Sequence, residues 1–339
     1  MTTILCLETT CDETAAAVIR DEKNVLSSVV ASQSKLHEQY QGVVPELAAR
    51  AHVQRILPVI EQVMSESALD LSDLDAVAVA NTPGLSGSLM VGLVAAKSLC
   101  LSLEIPLIAI NHLHAHVYAC QIAQEKPIFP CIGMIISGGH THLYHYANPL
   151  EAELLGGTID DAAGEAFDKV ASMLNLPYPG GPAISAAAAN GNPRAHPFPR
   201  SFIRDPVLKF SFSGLKTAVR YAIAGPGNID PTTINLSSQQ VSDIAASFQQ
   251  AVIDCLVAKA RQALRETGLK TLCVGGGVAA NRLFRSQIEA ACQQDQVQLF
   301  IAPPELCTDN AVMGAIAFER YAAGLFESLE LDILPGLVR

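Results

Sequence analysis

Basic charge is scarce in this sequence. Of 339 residues only 16% are charged, and 22 Lys and Arg face 33 Asp and Glu, a net charge of −11. Such a chain does not attract nucleic acid through its overall field. No apolar run reaches about 18 residues, so no membrane span is expected. Residues 1–3 lead directly into a strand-like stretch at 4–7, without the basic start and long apolar core of a signal peptide. The nine cysteines are odd in number and nowhere form Cys-x-x-Cys. Without an export signal, reduced and mostly buried thiols in a cytoplasmic protein are expected.

What is present is apolar. Hydrophobic residues make up 50% of the chain, ample for buried cores, and the length favours two lobes over one. The most unusual stretch is Asn111-His112-Leu113-His114-Ala115-His116. On a helix, His112 and His116 project from one face with Cβ atoms roughly 6 Å apart. That spacing suits two nitrogen ligands on one metal ion, although core or capping histidines can share it. His114 lies about 200° around the helix from His112 and has no assigned role.

Residues 4–7 read as a buried strand ending in Glu8-Thr9-Thr10-Cys11-Asp12-Glu13-Thr14, where acids and small hydroxyls can meet a phosphate or a phosphate-bound ion. A hairpin is expected from 15–19 and 25–30, then an amphipathic helix from about 45 to 65 with Pro45 in its first turn. A strand at 76–80 runs into a Gly/Ser turn, Asn81 to Ser88, that opens a second helix. This turn lacks the Gly-Lys-Ser/Thr ending of a P-loop. A strand at 107–110 precedes the histidines. The plan of 4–19 then repeats as strand 131–136, turn Ser137-Gly138-Gly139-His140-Thr141 and strand 142–146. Two facing copies of such a unit would clamp a nucleotide's phosphates between lobes. His140 has no assigned role.

Asp161, Glu165 and Asp168 are expected on one helical face, and Pro179-Gly180-Gly181-Pro182 as a rigid turn open to a ligand. Residues 210–216 open a helix, and 239–267 form a long amphipathic one. Strand 272–274 enters Gly275-Gly276-Gly277, a platform for a flat base or ribose with neither Rossmann nor P-loop spacing. A last strand at 298–301 precedes Cys307-Thr308-Asp309-Asn310. There Thr308 could cap a terminal helix with Asp309 in its first turn, or Asp309 could return as a third metal ligand. Arg194, Arg200, Arg204, Lys209, Lys216 and Arg220 face one acid, Asp205, and form either a solvated face or a landing strip for phosphates.

Taken together, these motifs resemble the tRNA threonylcarbamoyladenosine transferase family, once labelled O-sialoglycoprotein endopeptidases. The resemblance runs from about residue 4 to 321 and includes Gly42-Val43-Val44-Pro45-Glu46, Phe167-Asp168-Lys169 and Gly275 to Asn281 beside the motifs above. It implies an α/β fold of the actin, Hsp70 and sugar-kinase kind, with ribonuclease H-like duplicated lobes around a nucleotide cleft. The expected lobes are 1–111, completed by a C-terminal helix at 309–325, and 112–308, with an inserted basic region at about 190–230.

The resemblance further implies that His112, His116 and Asp309 hold one divalent ion, iron or zinc. Threonylcarbamoyl-AMP would contact Ile135, Ile136, Ser137, Gly138, Gly139, Asp168, Gly181 and Asn281, with Ser185 as a second contact; ATP or ADP are further candidates for the cleft. Some members add a tyrosine ligand ahead of the Ser-Gly-Gly turn, where this chain has Ile135. The implied reaction moves the threonylcarbamoyl group to N6 of the adenosine beside the anticodon, in tRNAs reading codons that begin with A. Asp12 could position a group or accept a proton, and the Arg194–Arg220 strip could touch tRNA. Implied partners are tRNA, a TsaB-like paralogue, a TsaE-like ATPase and an upstream threonylcarbamoyl-AMP synthase, with no membrane. Two rival enzymes are weaker. A zinc peptidase needs His-Glu-x-x-His, and Leu113 stands where that Glu belongs. A small-molecule kinase or ATP-binding protein of the same fold has no use for a three-ligand protein metal site.

Overall fold

The computed structural model describes residues 1–227 and 229–336, which form two compact units. Unit 1 comprises 1–128, 148–151 and 302–339, and unit 2 comprises 129–147 and 152–301. The expected boundary at 111/112 therefore moves to 128/129. The helix carrying the histidines packs on the C-terminal segment of unit 1 and stays with it.

Unit 1 is built on a five-stranded sheet of order β3-β2-β1-β4-β5: β1 Thr3–Glu8, β2 Glu13–Arg20, β3 Asn24–Ser32, β4 Ala76–Thr82 and β5 Leu107–Asn111. β1–β2 and β2–β3 pair antiparallel, while β1–β4 and β4–β5 pair parallel. β1 and β4 are buried along their whole length, as strands covered on both faces must be. A one-turn helix, α1 (Ser34–His37), precedes α2 (Pro45–Ser67), and α3 (Ser86–Leu103) and α4 (His112–Ile122) follow β4 and β5. α10 (Pro304–Cys307), a 3₁₀ stretch at Val312–Ile316 and α11 (Ala317–Ala322) complete the unit. The terminal helix thus starts later and ends earlier than expected. The residue that caps its first turn is Asn310, whose Oδ1 accepts from Met313 N at 3.1 Å, and not Thr308.

Unit 2 repeats the plan. Its strands, β6 Cys131–Ile136, β7 Thr141–Asn148, β8 Glu151–Gly157, β9 Thr271–Gly275 and β10 Gln298–Ile301, lie in the order β10-β9-β6-β7-β8. β6 pairs antiparallel with β7 and parallel with β9, and β9 pairs parallel with β10. Strand for strand this is the topology of unit 1, including β8, which the sequence reading did not contain. The helices are α5 Ala163–Met173, α6 Gly180–Ala188, α7 Ser213–Ala224, α8 Ser238–Thr267 and α9 Arg282–Asp295. Gly276, at the end of β9, has φ +94°, and a Cβ there would stand 2.6 Å from Ile136 O. Glycine is what lets the two strand ends close on each other.

Two helices, α3 with 18 residues and α8 with 30, are long and apolar enough to cross a membrane by length and composition alone, a test that core helices also pass. α8 is mostly buried, carrying Phe248, Val252 and Leu256 into the unit 2 core. α3 packs on β4 and α2 with one face. Its other face, with α2, leaves Val53, Leu57, Met90, Val94 and Leu101 each more than half exposed.

Candidate active site

α4 begins where β5 ends, because Asn111 Oδ1 accepts from Leu113 N and His114 N and caps the helix. The i, i+4 spacing then stacks His112 on His116, with ring centroids 4.6 Å apart and the planes at 77°. Asp309 reaches them from the far end of the chain. Its Oδ1 lies 3.1 Å from His116 Nε2 and 3.6 Å from His112 Nε2. One ligand atom from each of the three residues falls within 4.8 Å of the others.

The far side of His112 is also built. Glu8 Oε2 is 3.0 Å from His112 Nδ1, and Glu8 Oε1 accepts from Thr10 N at 2.7 Å. In the neutral ring a proton on Nδ1 facing this buried carboxylate leaves the Nε2 lone pair on the Asp309 side, the arrangement found behind metal-bound histidines. Burial alone would push this imidazole down, but the Glu8 and Asp309 carboxylates outweigh it and lift it to about 9. The two ring nitrogens and the carboxylate oxygen lie close enough together to hold one cation. Two imidazoles and one carboxylate fit a divalent ion. The sequence reading had Glu8 only among the acids of the loop after β1, and the structure sets it against His112 Nδ1. His114 points elsewhere and is pushed down to about 4 by burial and by Arg320.

Asp12 is buried in the loop after β1, which is pinned by His52 Nε2 and Ser88 Oγ donating to Cys11 O. Beside it, burial and then the Asp12 and Asp309 charges push the Glu13 carboxyl well up, so that Glu13 tends to keep its proton. The sequence reading had Glu13 only as one of the acids of this loop.

The remaining expected residues lie in unit 2. Ile135 and Ile136 are fully buried and offer a ligand no side chain. Ser137 N donates to His140 O at 2.8 Å, so the turn presents the amides of Gly138 and Gly139 and not all three. The turn rests on the start of α5, where Gly164 N donates to Ser137 O and Glu165 N to Gly138 O. Asp168 Oδ1 accepts from Gly180 N at 2.7 Å and braces the next turn. A Cβ on Gly181 would meet nothing within 4 Å, so space remains beside that residue. Asn281 Nδ2 donates directly to Ser185 Oγ, and both donate to Gln249 Oε1, a residue that sequence reasoning missed.

Two groups come apart. The acids do not form one open face: Lys169 binds Asp161 and Glu165, Lys216 binds Asp161, and Asp168 holds the turn. The basic strip is partly neutralised. Lys216 pairs with Asp161, Arg200 pairs with Asp254, and Arg220 donates to Gly227 O, while Arg194, Arg204 and Lys209 remain exposed.

A family model described as "TsaD: tRNA N6-adenosine threonylcarbamoyltransferase" matches residues 24–316. A protein of that name from Rhodopirellula baltica is 55% identical, covering 99% of this chain and 97% of the relative. Another from Symbiobacterium thermophilum is 47% identical, over 98% and 96%. Among solved structures, HypF of T. kodakarensis superposes with a TM-score of 0.63 at 16% identity, covering 96% of this chain and 48% of that one. The activator of 2-hydroxyisocaproyl-CoA dehydratase from Clostridium difficile, solved with bound ADPNP, gives 0.53 at 12%, over 96% and 99%. At these identities the likeness concerns the fold alone, a two-sheet α/β architecture shared with actin and the sugar kinases.

Proposed function

The chain belongs to the tRNA N6-adenosine threonylcarbamoyltransferase family, and from that premise we propose that it transfers threonylcarbamoyl from threonylcarbamoyl-AMP to the adenosine beside the anticodon. The acceptors are tRNAs reading codons that begin with A. In the reaction the adenosine N6 amine attacks the carbamoyl carbon, the C–N bond forms and the C–O bond to the phosphate breaks. AMP leaves with the electron pair, and the amine gives up a proton. Asp12 is the candidate acceptor for that proton, in a loop whose backbone His52 and Ser88 hold still.

His112, His116 and Asp309 would hold an iron or zinc ion, which when bound supplies a Lewis acid that orients the substrate. In unit 2 the amides of Gly138 and Gly139 would meet the phosphate or the developing oxyanion. Space beside Gly181 would admit the nucleoside, and Asp168 would keep the Gly180 turn in place. ATP or ADP could occupy the same adenylate site. Arg194, Arg204 and Lys209 are the residues best placed to touch tRNA phosphates, with Arg200, Lys216 and Arg220 tied to other partners. The apolar face of α2 and α3 supports a protein partner, which the family resemblance identifies as a TsaB-like paralogue. A TsaE-like ATPase, an upstream threonylcarbamoyl-AMP synthase and a cytoplasmic location complete the reading.

The observation that carries this reading is the His112, His116 and Asp309 cluster, backed by Glu8, in a chain similar to such transferases over nearly its full length. The test is incubation with threonylcarbamoyl-AMP and unmodified tRNA, alone and with partners, measuring modified adenosine and AMP. His112→Ala and Asp309→Ala should abolish transfer and metal content together. Full activity in the double variant would overturn the metal assignment, and phosphate transfer to a small molecule would favour a kinase.

A further inference from the structure

Asn281 has no hydrogen-bonding capacity left over. Its Oδ1 accepts from Leu283 N at 3.0 Å and Phe284 N at 3.1 Å, capping α9. That orientation turns Nδ2 away from the helix, where its two protons go to Gln249 Oε1 at 2.8 Å and Ser185 Oγ at 3.0 Å. Two acceptor sites and two protons are an amide's full complement. The same logic fixes Gln249. The atom facing an N–H₂ group must be its oxygen, which also accepts the Ser185 hydroxyl proton at 2.8 Å. The triangle closes with both lone pairs of Gln249 Oε1 in use.

What the triangle can still offer a ligand is limited to two atoms. Ser185 Oγ keeps one lone pair, and Gln249 Nε2 keeps its protons, with no protein partner among the described residues. Gln249 is 7% exposed and stands on α8 between the core residues Phe248 and Ala251. A methionine or leucine would fill such a place without the cost of desolvating an amide. A donor beside an acceptor matches a hydroxyl, which accepts and donates through one oxygen.

We propose that Gln249 is a substrate-contacting residue whose Nε2, with Ser185 Oγ, reads a ribose hydroxyl of the adenylate, while Asn281 is a positioning residue that sets both. The proposal rests on the adenylate reading of unit 2 given above.

The experiment uses the full chain and measures the affinity of AMP, 2′-deoxy-AMP and 3′-deoxy-AMP by calorimetry. The variants are Gln249→Glu, which keeps the accepting oxygen and removes the donors, and Ser185→Ala, which removes the acceptor at a half-buried site. Wild type should bind AMP roughly five- to hundredfold more tightly than one of the deoxy forms, the worth of the two hydrogen bonds this hydroxyl makes. In each variant that ratio should fall, because one of the two hydrogen bonds is already lost. A variant that weakens AMP and both deoxy forms by the same factor would overturn the contact and leave Gln249 structural. If Gln249→Glu does not fold, an unchanged ratio in Ser185→Ala overturns the proposal by itself. Wild type that fails to bind AMP at all would overturn the adenylate reading as well, so the two failures are distinguishable.

Discussion

A carboxylate 104 residues away in sequence decides which nitrogen of His112 faces Asp309. Replacing Glu8 with Gln keeps an acceptor for Nδ1–H but removes the charge that makes Nε2 a better ligand. Glu8→Ala removes both. Metal affinity, measured by competition with a chelator, should fall by about 10- to 100-fold in Glu8→Ala and by less in Glu8→Gln. Equal affinity in all three proteins would count against Glu8 as the orienting group. The histidine pair was legible because helical spacing puts i and i+4 on one face, and Asp309 was legible through the family motif. The pairing of Glu8 with His112 and the place of Gln249 were not. Their partners lie in other elements, and no local periodicity marks a contact of that kind. Lys259 is a further example, an invisible position in an amphipathic helix that proves 1% exposed. Its Nζ donates to Asp205 O, Val207 O and Gln262 Oε1, each at 2.7 Å, and so pins the connection leading to α7. Lys259→Met leaves these acceptors unpaired and should destabilise the protein by about 1–3 kcal/mol in denaturant titration, with new proteolysis near residues 198–208.

At the scale of elements, the strands and long helices were legible because apolar runs bounded by Gly, Pro and Asx turns mark them. β8 was missed, since its half-exposed pattern resembles a loop. The acidic stretch before α5 was misread because its partners are distant. Asp160 accepts from Ser211 Oγ at 2.6 Å, Ser213 Oγ at 2.7 Å and the amides of Phe212 and Ser213, which ties the end of β8 to the start of α7. Burial works against its charge, but these hydrogen bonds prevail and hold the carboxyl below its ordinary range. Asp161 is held down in the same way by Lys216 and Lys169 against its burial. A carboxyl depressed in the folded state stabilises above its unfolded value, about 3.9, and that stability is lost as pH falls through the folded value. Denaturation midpoints should therefore be flat above about pH 5 on this account and drop below about pH 4. Asp160→Asn should start from a lower midpoint and lose less on acidification; an undiminished acid drop would show that other groups carry it.

At the scale of the whole molecule, each half of the chain builds one sheet of the same strand order, and the sequence displayed this as a repeated strand–loop–strand. The boundary was harder to see, because α4 follows a strand of unit 1 and belongs with that unit by packing alone. Charge raises a separate question: how a chain of net charge −11 holds tRNA. Half of the six basic residues between 194 and 220 are engaged with Asp161, Asp254 or Gly227 O, and only Arg194, Arg204 and Lys209 stand exposed. Each neutralised phosphate contributes about 0.7–0.9 to the slope of log affinity against log salt. Three contacts therefore account for a slope of roughly 2–3, shallow for an RNA-binding protein. The isolated chain should bind tRNA weakly and lose only about 15- to 60-fold in affinity over a fourfold rise in salt. Changing Arg194, Arg204 and Lys209 together to Ala should remove most of that slope, whereas Lys216→Ala should leave it largely in place and lower stability instead. Adding the protein partner should steepen the slope, because further phosphate contacts must then come from its surface. A steep slope in the isolated chain that survives the triple change would move the tRNA interface away from this strip.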